Sequence, residues 1–282
     1  MDSIKLLSPA KVNLSLAVLK KRGDGYHDLW TIMQLIDLYD QVEISKEIDG
    51  KITLYCEGEN VPSGKKNLAY RAARALMKRV KKSFGVKISL HKKIPLGSGL
   101  GGGSSNAASV LMGLNTLFNC ELSNEELMKI GKEIGADVPF FIFQKTALAT
   151  GIGEKLEKID NFPKLWFVLT NPGFEVSTAW TYNSLNLRLT KKAINTSIDE
   201  LIKQPERFNE LLYNDLEKVV INRYPVIQKM KDVLNLHGAV FSLMSGSGPT
   251  VFGIFSKKEA AKATFEILLS RYNWRVFMAQ SI

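Results

Sequence analysis

Apolar side chains recur along this chain with two periods, and the switches between them divide it into strands and helices. Alternation at every second position predicts strands over 5–19, 42–45, 52–56 and 86–91, with Pro9 near the start of the first, where a proline is tolerated. Residues 29–38 are apolar enough for a further buried element, and Asp49-Gly50 between the second and third strands predicts a hairpin turn. Helical spacing predicts helices over 65–82, 104–118 and 124–134, the last opened by a capping box at Ser123 and Glu126 and stopped at Gly135. Short apolar elements at 138–143 and 156–159 follow, and Asn161-Phe162-Pro163 leads to a new strand over 165–169. The remainder predicts helices near 196–203, 206–221 and 225–235, and strands at 239–244 and 250–255 split by Ser245-Gly246-Ser247-Gly248-Pro249. A helix over 257–271 and a strand near 274–279 close the chain. Strands mixed with helices without strict alternation predict an α+β protein. With 282 residues, two domains are expected, 1–160 and 161–282.

Composition narrows the function classes. Hydrophobic residues at 45% and charged residues at 23% describe an ordinary globular protein. No apolar run approaches the roughly 18 residues of a membrane span, and the first residues lack the apolar core of a signal peptide, so a cytoplasmic location is expected. Cys56 and Cys120 lack the spacing of a zinc site or redox pair and are expected to be buried thiols. The net charge of +10 and pI near 9.4 suit either nucleic acid or small polyanionic ligands. Much of the excess lies in the helix predicted over 65–82, whose apolar face is read as Leu68, Ala72, Ala75, Leu76 and Arg79 and whose basic residues are expected to form a solvated face.

The richest stretch is Pro95-Leu96-Gly97-Ser98-Gly99-Leu100-Gly101-Gly102-Gly103-Ser104-Ser105-Asn106, which leads from a predicted strand into a predicted helix. Glycines permit positive φ and close backbone approach, so consecutive N–H groups can converge on one anion, and the helix adds the positive end of its dipole. A Walker-type loop is excluded, because Gly103 is followed by serine rather than lysine. Gly97, Gly99 and Gly102 satisfy the dinucleotide spacing, and Glu121 stands about where a ribose-binding acid belongs. A capping-box helix start follows Glu121 in place of the second strand that fold needs.

Other chemistries find little support. His27, His91 and His237 have neither helical pairing nor a cysteine cluster, which excludes the usual transition-metal sites, and no G-x-S-x-G elbow is present. Lys11 and Asn13 lie two apart on a strand and share a face, which reads as a solvent edge or as a polar site. Asp137, in Gly135-Ala136-Asp137-Val138-Pro139, stands where an N-cap would.

Taken in order, Ser8-Pro9-Ala10-Lys11-Val12-Asn13-Leu14, the glycine loop, Gly135-Ala136-Asp137-Val138-Pro139 and Ser245-Gly246-Ser247-Gly248-Pro249-Thr250 resemble the motifs of the GHMP kinase superfamily. Gly23-Asp24-Gly25-Tyr26-His27-Asp28-Leu29 after the first motif looks like the branch whose acceptor is 4-diphosphocytidyl-2-C-methyl-D-erythritol. The resemblance covers nearly the whole chain. It implies a two-domain GHMP kinase-like architecture, with a ribosomal protein S5 domain 2-like N-terminal domain that binds ATP and a ferredoxin-like C-terminal domain that contributes to substrate binding. It implies ATP and Mg²⁺ as cofactors and phosphorylation of the acceptor's 2-hydroxyl, by a monomer or weak homodimer that engages neither nucleic acid nor membrane. On the same resemblance Asp137 takes or orients the hydroxyl proton and Lys11 keeps it ionised, as an adjacent ammonium would. Asn13 positions the acceptor, Asn67 lies by the adenine, and Pro95, Gly97, Ser98, Gly99, Leu100, Gly101, Gly102, Gly103, Ser104 and Ser105 hold the nucleotide. Ser105 reaches toward the metal, for which no dedicated carboxylate is seen. Tyr26, His27 and Tyr182 take the cytosine, with Trp180 a competitor for the stacking role of Tyr182. A sibling kinase of mevalonate, homoserine or a sugar is the alternative, and an RNA-binding protein using the basic helix is the rival from another class.

Overall fold

A computed structural model describes residues 2–59, 61–62, 64–186 and 210–282. Those within Met1–Ala10, Tyr39–Leu96 and Gly101–Gln144 form one compact unit, and those within Lys11–Leu38, Gly97–Leu100 and Lys145–Ile282 form a second. This differs from a single cut between residues 160 and 161. The reason is the two long neighbouring strands β1 (Ser3–Lys21) and β2 (His27–Glu47), each of which contributes residues to both units.

In the first unit β3 (Ile52–Glu57) runs parallel to β4 (Gly85–His91), and β4 pairs antiparallel with the second half of β2, from Gln41 opposite His91 to Glu47 opposite Gly85. The hairpin expected at Asp49-Gly50 is therefore absent, because β4 lies between the two strands it would have joined. Burial explains the choice. Val86, Ile88 and Leu90 of β4 are buried, whereas Tyr55 and Cys56 of β3 are exposed, as suits an edge. The exposed Cys56 and half-buried Cys120 also correct the expectation of two buried thiols.

A 3₁₀ turn at Gly64–Lys66 precedes α1 (Leu68–Val80), which buries Ala69, Ala72, Ala73 and Leu76. Arg79 is exposed with the other bases rather than part of the apolar face. The central helix α2 (Gly102–Leu117) is buried over most of its length. Gly113 explains how closely it packs, since a Cβ there would lie 2.6 Å from Ile44 and 2.8 Å from Leu6. Helices α3 (Asn124–Ile134), with its capping box at Ser123 and Glu126, and α4 (Val138–Phe143) complete the unit.

The second unit is built on a four-stranded sheet ordered β11-β7-β10-β9. Its members are β7 (Trp166–Asn171), β9 (Phe241–Met244), β10 (Val251–Phe255) and β11 (Arg275–Gln280). Its helices are α5 (Thr178–Asn183), α6 (Glu217–Arg223), α7 (Val226–Leu236) and α8 (Lys258–Arg271). The first half of β2 pairs with β5 (Ala147–Gly151), which pairs with β6 (Lys155–Lys158). Strand β1 pairs in parallel with β8 (Tyr213–Asn214), inside the predicted helix 206–221. Captured backbone and side chains explain that departure: Asp215 N–H donates to the Leu16 carbonyl, and Asn214 Nδ2 donates to the carbonyls of Met244 and Gly246. The predicted helix at 196–203 lies outside the described residues. Among these, no helix is long and apolar enough to cross a membrane.

Candidate active site

The glycine loop runs from β4 to α2 through alternating left-handed positions, with φ of +53° at Gly97, +78° at Gly99 and +72° at Gly101. Only glycine takes these angles without strain. The backbone bond of Ser105 N–H to the Gly101 carbonyl, 2.9 Å, opens the ladder of α2. The N–H groups of Gly102, Gly103 and Ser104 precede it, at the positive end of a 16-residue helix. This turn can hold an anion. Gly103 is exposed, and a Cβ there would meet only Leu68, at 3.5 Å. Gly99 is different, since its missing Cβ would press into the Ser245 carbonyl. Buried Pro95 enters the loop, and Ser105 Oγ lies 3.2 Å from Ser8 Oγ, itself 2.8 Å from Ser109 Oγ. Asn67 caps α1: its Oδ1 accepts from Ala69 N–H at 2.9 Å and its Nδ2 donates to the Pro62 carbonyl at 3.0 Å.

The residues of the loop that group with the second unit are tied there to strand β1. Lys11 N–H donates to the Leu100 carbonyl at 3.0 Å, and Thr250 N–H donates to the Ser98 carbonyl at 3.2 Å. Ser245 Oγ donates to the Gly99 carbonyl at 2.9 Å and accepts from Asn13 N–H at 3.3 Å. Lys11 and Asn13 are only 4% and 3% exposed, so their shared face is not a solvent edge. Lys11 Nζ donates to Asn13 Oδ1. Gly246, at φ +56°, makes room for both, since a Cβ there would lie 3.0 Å from Asn13 Oδ1 and 3.5 Å from Lys11 Nζ. The supporting turn from Ser245 to Thr250 is the last of the sequence motifs, and its Ser245 and Gly246 are site-forming residues that the sequence alone does not single out.

Asp137 occupies the N-cap position of α4 with helical dihedrals and makes no side-chain cap bond, so it does not act as the cap its sequence position suggests. Nearby in the same unit, a Cβ on Gly135 would stand 3.7 Å from Ser104 Oγ, which places the start of α2 beside the turn that carries Asp137.

His27 and Tyr182 stack with ring centroids 5.2 Å apart. Trp180 instead packs edge-on to Tyr224, at 6.1 Å, under the Arg223 guanidinium. Tyr182 is thus the aromatic that joins His27. Tyr26 remains 56% exposed in its turn. Burial, with Lys21 adding a smaller repulsion, holds the His27 imidazole below its ordinary range, so it is neutral at pH 7.

One buried cluster gave no sequence signal. Asp40 accepts from Lys93 N–H at 2.7 Å, Ile94 N–H at 2.9 Å and Asn106 Nδ2 at 3.0 Å, and pairs with Lys92 Nζ. These three side chains join the second half of β2 and the segment just after β4 to the first turns of α2. Their partners come from distant parts of the chain, which no local pattern reveals.

Comparison with known proteins matches the chain to named relatives. GHMP kinases N terminal domain matches residues 67–145, and GHMP kinases C terminal matches residues 192–273. The chain is 50% identical over 279 residues to the 4-diphosphocytidyl-2-C-methyl-D-erythritol kinase of Syntrophus aciditrophicus, covering 99% of each. It is 51% identical over 272 residues to the protein of the same name from Citrifermentans bemidjiense, covering 96% of each. A crystal structure of 4-(cytidine 5'-diphospho)-2C-methyl-D-erythritol kinase superposes with a TM-score of 0.84 at 33% identity, covering 99% of both chains. A homoserine kinase from Cytophaga hutchinsonii, at 20% identity and a TM-score of 0.74 over 100% of this chain and 95% of that one, shares the fold. With both family domains matched and half of its residues shared with full-length relatives, the chain belongs to the GHMP kinases, within the 4-diphosphocytidyl-2-C-methyl-D-erythritol kinase family.

Proposed function

We propose that this protein transfers the γ-phosphoryl group of ATP to the 2-hydroxyl of 4-diphosphocytidyl-2-C-methyl-D-erythritol, in the cytoplasm, as a step of isoprenoid precursor synthesis. The observation that carries the reading is the buried Lys11–Asn13 pair on a strand hydrogen-bonded to the glycine loop, in a chain half identical to kinases named for that acceptor. Phosphoryl transfer asks a protein mainly for alignment and charge stabilisation. The loop fits a nucleotide: three left-handed glycines shape it, and the amides of Gly102, Gly103 and Ser104 face one helix terminus. Pro95, Gly97, Ser98, Leu100 and Ser105 shape and support that cradle, and Asn67 fixes the start of α1, against which the adenine would lie.

Among the described residues, no group of three or more His, Cys, Asp or Glu side chains could hold a metal ion. Mg²⁺ would be held chiefly by the nucleotide phosphates, where it supplies charge neutralisation. Asp137 takes the proton of the acceptor hydroxyl. Lys11 stabilises charge on the group in transfer, and Asn13 orients the acceptor. On this reading the His27–Tyr182 pair, with Tyr26, receives the cytosine, so the C-terminal half contributes to acceptor recognition and residues 1–160 bind the nucleotide. The working unit is a monomer or weak homodimer that binds small molecules rather than nucleic acid or membrane.

A coupled assay of ADP formation tests the assignment with four acceptors, the cytidylyl compound, mevalonate, homoserine and galactose. Turnover confined to the first is expected. Preferred turnover of another acceptor would replace the substrate and keep the reaction class.

A further inference from the structure

We propose that Thr31 is a positioning residue of the transfer, acting through Asn13 on Lys11; the inference rests on the kinase reading above. Thr31 lies on β2, is 2% exposed, and places its Oγ1 2.8 Å from Asn13 Nδ2 and 2.5 Å from the Ser15 carbonyl oxygen. A hydroxyl has one proton, and a main-chain carbonyl can only accept. The proton of Thr31 therefore goes to Ser15, and toward Asn13 Thr31 can only accept. That settles the orientation of the Asn13 amide. Its NH₂ group faces Thr31, and its carbonyl oxygen faces the other way, where Lys11 Nζ donates to it.

Reversing the amide would set the Asn13 NH₂ against the Lys11 ammonium, donor against donor, in a place too buried for water to intervene. The backbone offers little escape. Asn13 N–H is held by Ser245 Oγ, and Ser15 Oγ is tied to the Leu211 carbonyl, so the strand cannot easily slide to make a new pairing. Threonine suits the task because its branched Cβ leaves few χ1 rotamers, which keeps the hydroxyl aimed. Thr31 thus passes the direction of one main-chain carbonyl through two side chains to the ammonium that faces the transferring group.

The test compares Thr31→Val, which keeps the shape and removes the acceptor, with Thr31→Ser, which keeps the hydroxyl, in the full chain. Thr31→Val is expected to lower kcat by about 10-fold or more while KM for ATP moves by less than about 2-fold, and Thr31→Ser to recover most of the activity. In an Asn13→Ala background the valine should add less than about 2-fold, because the two residues act as one unit. An equal loss in both backgrounds would mean a general structural role and overturn the proposal. A second readout is independent of turnover: the Asn13 side-chain NH₂ resonances in ¹⁵N spectra should shift in the valine variant and stay in the serine variant. Unchanged resonances in valine would also overturn it. If Thr31→Val does not fold, Thr31→Ala removes the same acceptor and is read by the same two criteria. A wild-type protein without phosphorylation of any acceptor would sink the kinase reading, while the Asn13 resonances would still decide the amide orientation.

Discussion

At the scale of single residues, Asp137 separates a structural from a chemical role most cleanly. It holds the N-cap position of α4 without capping it, so Asp137→Asn removes no cap bond. The variant should still fold and lose about 10²-fold or more in kcat, the scale of a missing general base. A drop in melting temperature with kcat intact would return Asp137 to the fold. The cytosine pair is tested by Tyr182→Ala, which should cost roughly 1–3 kcal/mol of stacking and appear in KM for the cytidylyl acceptor, with KM for ATP unmoved. Acidity gives a second handle. The His27 pKa is depressed, first by desolvation and then by Lys21, so the folded state favours the neutral ring. Its contribution to stability is present above the ordinary imidazole value of 6.5 and is lost as pH falls below it. KM for the acceptor should accordingly be flat above that value and rise only on the acid side. The spacing of Lys11 and Asn13 showed that they share a face, but not whether it is wet. Burial depends on what packs there, and the covering residues, Ser245 and Gly246, come from the far end of the chain.

At the scale of elements, local signals were read well where the partner was local. Helix α3 matches its predicted range because Ser123 and Glu126 write both halves of a capping box within one turn. The Asp49-Gly50 turn misled because strand pairing is not local. β4 carries Val86, Ile88 and Leu90 and wins the central position beside β2, leaving β3 at the edge. For Tyr213–Asn214 the helical period was overridden by bonds to β1 and to the Ser245 turn. The glycine loop was legible as a loop, yet its glycines do different work. Gly99→Ala forces a Cβ into the Ser245 carbonyl at a left-handed φ and should destabilise the fold whether or not a nucleotide binds. Gly103→Ala meets only Leu68, at ordinary contact distance, and should fold normally. If phosphate lies on this turn, Gly103→Ala will still weaken ATP binding in calorimetry by about 10-fold or more, since backbone contact tolerates no added methyl. Wild-type affinity in Gly103→Ala would show that phosphate does not touch the loop there.

At the scale of the whole molecule, the net charge of +10 bears on partners rather than on fold. Both proposed ligands are polyanions, so a basic protein should draw them in by long-range attraction, which salt shortens from about 30 Å at 0.01 M to about 10 Å at 0.1 M. Steering acts on encounter and not on the chemical step. Over that range kcat/KM for the cytidylyl acceptor should fall several-fold while kcat stays constant. An RNA-binding protein would behave differently, because each neutralised phosphate releases a counterion and log affinity falls linearly with log salt at a slope set by the number of contacts. The basic residues of α1, Arg71, Arg74, Lys78 and Arg79, are distributed over its solvated side, and Arg79 is paired with Glu126 at 2.9 Å, which fits a soluble surface better than a phosphate-tracking groove. Filter binding of single- and double-stranded RNA at physiological salt should therefore show nothing tighter than the roughly 10⁻⁴–10⁻⁶ M of non-specific attraction. Nanomolar RNA binding with a steep salt slope, in a protein that turns over no acceptor, would assign the charge to nucleic acid and overturn the kinase reading; salt-independent kcat/KM with normal turnover would leave the kinase in place and remove steering.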